Sequence, residues 1–440
     1  MGPIPAPAPA RRYAIWTIGC QMNEADSRRL AERLDAAGWR PTSHEDEAEL
    51  VILNTCVVRQ PAEDKVYGRL NQLRRRKQRQ PELMLALMGC LVGVHPAADL
   101  ARRFPFVDVF LSPSDPEPLL DLLGAPPAAE PESAVVFHGG VRANVPVVLG
   151  CSHACTYCVI PYRRGPEHSR PPEDVLREAR ALVAAGAREL TLLGQIVDRY
   201  GMDLPGRRPD LADLLRQVAE IPGLYRLRFL TSHPGYFSDR LLDALATVPK
   251  ICPVVELPVQ AGNDEVLARM RRGYRTAEYE ALAAKLRAAR ADLALHTDVI
   301  VGFPGETRDQ FLDTLALIRR LRPDKVHLAK YSPRPQTYAA RRLADDVPPE
   351  EKEWRRLTLD AAQVEIQTEK NAARVGADVE ALVDGRDAKH GRWRGRTERD
   401  TLVFFDGPEN PDLVGARRQV RVRSASPFAL VGEPISASSP

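Results

Sequence analysis

The sequence predicts an α/β protein of three parts: a Rossmann-like or flavodoxin-like amino-terminal domain, a partial (β/α) TIM barrel, and a small carboxyl-terminal antiparallel β-barrel. Short apolar strands alternate with helical patterns over residues 13–124 and again over residues 141–373. Such alternation is typical of parallel sheets covered by helices. Only short, closely spaced strands follow over residues 374–435, which indicates a small barrel.

The amino-terminal domain follows a Pro- and Ala-rich tail, residues 1–12, that is predicted to be disordered. The tail has no apolar segment typical of a secretion signal, so the protein is predicted to be cytoplasmic. A helix is predicted over Ser27–Ala37, and the predicted strands are YAIWTIG, ELVILNT, LMLALMG and VDVFLS. Alternating elements of this kind form a layer sandwich.

The middle domain begins after a predicted linker, residues 125–140, whose Pro, Ala and Glu residues can bury little apolar surface. Its predicted strands are VPVVLG, ELTLLG, YRLRFL, CPVVELPV, LALHTDVIV and KVHLAKY, with helices between them. Repeated strand-helix units predict a barrel with its chemistry at the carboxyl ends of the strands. A doubly wound sheet is the alternative, and a helix over Pro349–Ala373 ends the domain.

Composition limits the classes of partner. The chain has 440 residues, a hydrophobic fraction of 44% and no apolar run long enough to cross a membrane. Its net charge is only +3, although basic residues cluster over Leu70–Gln80 and again after Lys389. An RNA partner would explain these clusters, and solvated faces in an Arg-rich composition would explain them equally well.

The strongest signal of chemistry is a CxxxCxxC loop formed by Cys151, Cys155 and Cys158. Three thiolates in such a loop can bind three irons of a [4Fe-4S] cluster and leave the fourth iron open to a small molecule. A structural zinc site is the alternative, but zinc normally takes four ligands, and His153 is too near its neighbours to be the fourth.

A second set of cysteines follows three apolar strands of the first domain. Cys20, Cys56 and Cys90 each come directly after a predicted strand, so a parallel sheet would bring them to one edge. Buried structural cysteines are the alternative for any single one. Three at equivalent strand ends favour a second three-thiolate cluster, whereas Cys252, inside an apolar strand, is predicted to be a core residue.

The CxxxCxxC loop, with Tyr157 just before its last cysteine, resembles the radical S-adenosylmethionine (SAM) superfamily. Further motifs narrow the resemblance to its methylthiotransferases. These are TIGCQMN at Cys20, NTCVVR at Cys56, MGC at Cys90, CVIPYRRG from Cys158, LGQ at Gln195, TSHP at Ser232, LPVQ at Gln260 and GFPGE from Gly302. The carboxyl-terminal strands are similar to the TRAM domain, a small RNA-binding barrel.

The resemblance implies two [4Fe-4S] clusters and two SAM molecules per turnover. Cys151, Cys155 and Cys158 would hold the cluster that binds SAM, and Cys20, Cys56 and Cys90 an auxiliary cluster that supplies methylthio. Tyr157 would lie beside the adenine of SAM, and the other expected SAM contacts are strand-end residues: Gln195, Ser232, Gln260, Asp298 and Gly302. No catalytic residue is assigned beyond the clusters.

The resemblance also implies a substrate and partners. The closest subfamily modifies carbon 2 of an isopentenylated adenosine next to the tRNA anticodon. We therefore expect tRNA and an electron donor such as a flavodoxin or ferredoxin as partners, no membrane, and a monomer. The alternatives are threonylcarbamoyladenosine in tRNA, an aspartate of a ribosomal protein, a radical enzyme with a degenerate first domain, or a zinc-containing RNA-binding protein.

Several residues depart from the pattern of the family. They leave the six cysteines in place but put the exact substrate in doubt. The departures are Ser152, Gln60, Ile196, Asp198, Ala261 and Gln336.

Overall fold

The computed structural model describes six stretches of the chain, residues 11–58, 60–94, 98–125, 140–206, 209–407 and 411–435. Residues 1–10 of the predicted tail and residues 126–139 of the predicted linker therefore lie outside the described residues, whereas Arg12, the last residue of the predicted tail, begins the first strand. The described chain divides into two units. The first comprises the described residues within Met1–His138 with Gly150–Ser152 and Val159–Pro166, and the second those within Gly139–Leu149, His153–Cys158 and Glu167–Pro440.

A five-stranded parallel sheet forms the centre of the first unit, in the order β2-β1-β3-β4-β5. Its elements are β1 (Arg12–Thr17), α1 (Gln21–Ala36), β2 (Arg40–Pro41), β3 (Leu50–Thr55), α2 (Gln60–Arg79), β4 (Met84–Gly89), α3 (Ala98–Arg103), β5 (Val109–Leu111) and α4 (Glu117–Leu122). This is the flavodoxin-like strand order, in which the direction of winding reverses between β1 and β3. The predicted fold class of this region is confirmed.

Strand β3 shows why the sheet is covered on both faces. All six of its residues are buried. Val51 and Leu53 belong to the apolar cluster that includes Leu70 of α2, whereas Leu50 and Ile52 belong to the cluster on the other face. Successive side chains of a strand point to opposite faces, so a continuous apolar run needs helices on both sides. Each such side chain contributes about 1.5–3 kcal/mol when fully buried.

Two helices of the first unit differ from prediction. Helix α1 begins at Gln21 rather than Ser27, because Met22 and Ala25 extend its buried face toward Cys20. Helix α2 is absent from the predicted elements. All of the basic segment Leu70–Gln80 except Gln80 forms its second half, of which Leu70, Leu73 and Arg76 are buried. Its apolar spacing is masked in the sequence by the many charged residues between the buried positions.

The second unit contains the middle domain. The elements from the linker to the long helix are β6 (Arg142–Pro146), β7 (Val148–Leu149), α5 (Ile160–Arg164, part of the first unit), β8 (His168–Ser169), α6 (Pro172–Ala184), β9 (Glu189–Leu193), α7 (Leu211–Ala219), β10 (Arg226–Leu230), α8 (Asp239–Thr247), β11 (Val254–Glu256), α9 (Asp264–Met270), α10 (Thr276–Ala289), β12 (Ala294–Val301), α11 (Arg308–Leu321), β13 (Lys325–Lys330), α12 (Tyr338–Arg342) and α13 (Pro349–Ala372).

Six of these strands form a partial barrel. Strands β6, β9 and β10 form one parallel sheet and β11, β12 and β13 another. A parallel bridge between Leu227 of β10 and Ile251 connects the first of these sheets to the segment just before β11. The predicted partial TIM barrel is confirmed. Strand β11 is shorter than predicted, since Pro253 and Pro258, which lack a backbone N–H, bracket it.

The carboxyl-terminal barrel has five strands, β14 (Asp378–Arg386), β15 (Trp393–Arg396), β16 (Leu402–Phe405), β17 (Arg417–Ala425) and β18 (Ala429–Pro434). They close in the order β14-β15-β16-β18-β17. The predicted small barrel is confirmed, and its pairs are antiparallel except for the parallel pair β16–β18. A closed ring with an odd number of strands cannot alternate in direction throughout, so one parallel pair is unavoidable.

The turn between β15 and β16 lies against the amino-terminal end of the partial barrel. Arg226, the first residue of β10, donates to the carbonyl oxygen of Arg396 at 2.7 Å, and Arg228 donates to that of Glu398 at 2.7 Å. Both arginines are buried. Because this turn covers the amino-terminal end, the chemistry is left to the carboxyl ends of the strands. No described helix is long and apolar enough to span a membrane.

Candidate functional site

The structure brings Cys20, Cys56 and Cys90 to the carboxyl edge of the first sheet. Cys20 precedes α1, Cys56 follows β3 and Cys90 follows β4. A Cβ atom added at Gly19 would lie 3.0 Å from the Cβ atom of Cys56, and the charges of Cys56 and Cys20 both act on Cys90. The sulfurs therefore gather beside the point between β1 and β3 where ligands of such sheets bind.

Buried polar side chains hold this edge in place. Asn23 donates to Asn54 Oδ1 and to the carbonyl oxygen of Thr55, both at 2.9 Å. Asn54 in turn donates to Ser27 Oγ at 2.9 Å. The thiol of Cys20 donates to Asn23 Oδ1 at 3.4 Å. Because buried polar groups are costly unless paired, this network fixes the loops that carry the cysteines.

Glycines allow two of the cysteine loops to form. Gly89 has a φ of +95°, and a Cβ there would lie 2.5 Å from Asn54 Oδ1 and 2.6 Å from the carbonyl oxygen of Thr55. Gly150, directly before Cys151, has a φ of +67°, and a Cβ there would overlap the carbonyl oxygen of Pro166. Only glycine meets both demands without strain.

The second triad lies on the loop that follows β7. Cys155 Sγ is 3.2 Å from His153 Nδ1 and accepts a hydrogen bond from Arg272 Nη1 at 3.2 Å. Burial alone would raise the pKa of the Cys155 thiol, but the hydrogen bond with His153 and the charge of Arg272 outweigh burial and lower this pKa to about 7. A thiolate is the form that binds iron.

The donor sets of both triads fit iron-sulfur clusters. Each triad offers three soft thiol sulfurs, the ligands such clusters use. Within the described residues, no three His, Cys, Asp or Glu side chains are placed to hold a single metal ion. Each cysteine of a four-iron cluster binds a different iron, so a cluster site need not meet the geometry of a single ion. The ligand roles of the six cysteines stay predictions.

Unpartnered polar atoms lie at the carboxyl ends of the barrel strands. Ser232 and His233 follow β10, and Gln260 follows β11. Ser232 Oγ, His233 Nε2 and Gln260 Oε1 are buried without a hydrogen-bond partner. Burial lowers the pKa of His233 to about 2, so its ring is neutral. Buried polar atoms without partners are costly, and a polar ligand such as SAM would satisfy them.

The remaining expected SAM contacts lie at the same end. Gln195 follows β9, and Asp298 lies within β12; both are partly buried. Tyr157 is partly buried, and its ring lies 6.4 Å from that of Phe303. Gly302 has a φ of +71°, and the side chain of Lys352 fills the space a Cβ would take. The packing of Lys352 thus explains why residue 302 is a glycine. A contact between Gly302 and SAM stays a prediction.

Asp198, one of the departures from the family pattern, supports the loop that carries His233. Its two carboxylate oxygens accept the backbone N–H of His233 at 3.1 and 2.9 Å. Burial raises the pKa of this carboxyl to about 7. Asp198 therefore positions the TSHP segment.

Two arginines beside the triads were missed as site residues. Arg272 follows a helix end, and Arg164 lies in the CVIPYRRG motif, where neighbouring arginines look alike in sequence. Both side chains are buried; Arg272 donates to Cys155, and the charge of Arg164 acts on Cys90. Their burial was the distinguishing signal, and it depends on tertiary structure.

The partial barrel and its cysteine loop define a radical SAM enzyme. Residues 145–318 match the Radical SAM superfamily, residues 12–112 the Uncharacterized protein family UPF0004, and residues 372–435 the TRAM domain. A solved radical SAM methyltransferase, TsrM from Kitasatospora setae, has a similar fold, with a TM-score of 0.55, 16% identity and coverage of 75% of this chain and 77% of that one.

Curated relatives narrow the class. A tRNA-2-methylthio-N(6)-dimethylallyladenosine synthase of Chloroflexus aurantiacus is 46% identical over 96% of this chain and 91% of the relative. The same enzyme of Thermus thermophilus is 40% identical over 99% of this chain and 94% of the relative. The chain belongs to the radical SAM methylthiotransferase family. Its cofactors therefore include an iron-sulfur cluster and SAM.

Proposed function

We propose that this chain adds a methylthio group to carbon 2 of N6-isopentenyladenosine next to the tRNA anticodon. The observation that carries the proposal is the presence of two cysteine triads, each next to a buried arginine. The names of relatives 40–46% identical over most of the chain support the substrate. Family membership argues against the alternative of a zinc-containing RNA-binding protein.

The reaction needs radical chemistry because the hydrogen on such a carbon is not acidic at any side-chain pKa. Two bound [4Fe-4S] clusters and two SAM molecules per turnover would supply a radical that removes this hydrogen and a source of methylthio sulfur. Cys151, Cys155 and Cys158 would hold one cluster, and Cys20, Cys56 and Cys90 the auxiliary one.

The residues around the second triad have distinct tasks. Ser232, His233 and Gln260 would bind polar groups of SAM through their unpartnered atoms. Arg272 and His153 would hold Cys155 as a thiolate. Tyr157 and Phe303 would exclude water beside the adenine, since Phe303 is buried and the ring of Tyr157 packs edge-on against it.

Helix α2 is the surface we propose for tRNA phosphates, together with the TRAM barrel. Arg74, Arg75 and Arg79 of α2 are exposed. Several barrel arginines instead pair with carboxylates, as Arg421 does with Asp378 at 2.7 Å. Phosphates would bind the α2 arginines without breaking such pairs. We also propose a flavodoxin or ferredoxin as electron donor, a monomer, and a cytoplasmic location.

The test is an anaerobic assay with tRNA that contains N6-isopentenyladenosine, scored by mass spectrometry for 5′-deoxyadenosine and for the methylthio nucleoside. Cys56→Ala should retain 5′-deoxyadenosine and lose the methylthio product, whereas Cys155→Ala should lose both. Cys252→Ala is the control and should keep both, because Cys252 is a buried core residue of the partial barrel.

Two results would overturn the proposal. Methylthio product from Cys56→Ala would show that the first triad is not the sulfur site, as expected for a degenerate first domain. Product only with threonylcarbamoyladenosine tRNA, or only on a ribosomal-protein aspartate, would keep the reaction class and replace the substrate.

A further inference from the structure

Arg164 is a deeply buried charge of the first unit that lies beside cysteines. Its side chain is 3% exposed and that of its partner Asp26 is 0% exposed. Nη1 and Nη2 of Arg164 both lie 3.1 Å from Asp26 Oδ2. Nη2 also donates to Asn23 Oδ1 at 3.2 Å, the same oxygen that accepts from the thiol of Cys20.

The guanidinium also faces the cysteines themselves. The charge of Arg164 acts on the sulfurs of Cys90 and Cys20, and its Nε–H is buried without a hydrogen-bond partner. Asp26 thus holds one side of the guanidinium, and another N–H is left for a sulfur. An arginine presents its five N–H donors in a fixed fork, so one carboxylate can orient it toward a second acceptor.

A purely structural ion pair would not need this orientation. Buried ion pairs stabilise a fold little, and well-packed apolar residues of similar size often do as well or better. Helix α5, which ends at Arg164, already packs into the apolar cluster of the first unit through Val159, the residue before the helix. The buried Nε–H without a partner, on a guanidinium that faces two cysteines, is the feature that a structural tie leaves unexplained.

We propose that Arg164, oriented by Asp26, is a positioning residue that hydrogen-bonds to the auxiliary iron-sulfur cluster and stabilises its reduced state. This inference rests on the proposed cluster at Cys20, Cys56 and Cys90. One-electron reduction adds a negative charge to a cluster, and hydrogen bonds to its sulfurs together with nearby charge set its reduction potential. A fixed positive charge and an N–H donor therefore raise that potential.

The experiment uses the full chain with Cys151→Ala, Cys155→Ala and Cys158→Ala, so that only the first triad can hold a cluster. The cluster is titrated anaerobically with dithionite and followed by its electron paramagnetic resonance signal. Arg164→Gln should shift the equilibrium between oxidised and reduced cluster about tenfold toward the oxidised form. For one electron, this shift lowers the midpoint potential by about 59 mV. Arg164→Lys should recover part of the shift, because it keeps the charge without the fork.

Two further variants separate charge from structure. Asp26→Asn should move the potential upward, because it removes a negative charge and leaves an oxygen that can still orient Arg164. Arg33→Gln is the control for Arg164→Gln, because it removes the same positive charge. Arg33 lies on α1, twelve residues beyond the helix start at Gln21, and pairs with Glu117. Its potential should equal that of the parent.

The outcomes distinguish the inference from the function on which it rests. A parent chain without iron would refute the auxiliary cluster itself. Iron at about four per chain in every variant, with one common potential, would refute only the role of Arg164. Loss of iron in Arg164→Gln, Arg164→Lys and Asp26→Asn alike would show a structural tie and also overturn the inference.

Discussion

The two cysteine triads reach their places by different routes. Cys151, Cys155 and Cys158 lie on one loop, so their proximity is set by local sequence. Cys20, Cys56 and Cys90 are far apart in sequence and meet only because β1, β3 and β4 are neighbours in one parallel sheet. The triad of Cys20, Cys56 and Cys90 therefore depends on the fold of a whole domain. The triad on the Cys151 loop depends mainly on that short loop and on Arg272 beside it.

The two triads also differ in electrostatics. Burial raises the pKa of Cys90 to about 11, although Arg164 opposes this effect. At Cys155, burial is outweighed by His153 and Arg272, and the pKa falls to about 7. We infer that Cys155 is prepared to bind iron as a thiolate, whereas Cys90 needs the positive charge of iron to lose its proton.

The largest expected effect is a difference in thiol reactivity. Thiolates, not thiols, react with iodoacetamide, so in iron-free folded protein at pH 7 Cys155 should be alkylated at least ~10³-fold faster than Cys90. The rate at Cys155 should reach half its maximum near pH 7 and that at Cys90 only near pH 11. Mass spectrometry of the separate cysteine peptides measures both rates.

The control for this prediction is the same chain unfolded in urea, where both residues should react alike. Equal rates in the folded protein at pH 7 would contradict the electrostatic contrast between the triads.

A smaller effect should follow from Arg272→Gln. Arg272 Nη1 lies 3.2 Å from Cys155 Sγ, so its loss removes both a positive charge and a donor. The pKa of Cys155 should rise and its alkylation at pH 7 should fall about tenfold, the effect expected of one charged hydrogen bond. Arg271→Gln is a matched control, because Arg271 instead stacks on Tyr338 at 4.5 Å. A fall of the same size in both variants would refute the specific role.

The smallest expected effect is the loss of half of the bound iron when one glycine beside either triad is replaced by alanine. Gly89→Ala should remove the auxiliary cluster and Gly150→Ala the other, because each added Cβ would meet backbone oxygens at a positive φ. Iron should fall from about eight to about four per chain in each variant. Gly68→Ala, in α2 where nothing lies within 4 Å of the added Cβ, should keep its iron. Equal iron in all three variants would contradict the prediction.

Much of the fold and both triads could be predicted from sequence. Strand ends place Cys20, Cys56 and Cys90 together as soon as a parallel sheet is assumed, and the loop spacing gives the other three. Arg164 and Arg272 could not be predicted as site residues, since an arginine in sequence does not reveal whether it is solvated or buried. The early start of α1 was missed for a similar reason, as Asn23 and Asp26 are buried polar residues.

The most direct test of two separate triads is the iron content of the anaerobically reconstituted chain, with Mössbauer spectroscopy to identify the clusters. The parent should hold about eight irons in two four-iron clusters. Replacing the three cysteines of either triad by Ala should leave about four. A parent with about four irons, unchanged when Cys20, Cys56 and Cys90 are all replaced, would contradict the account.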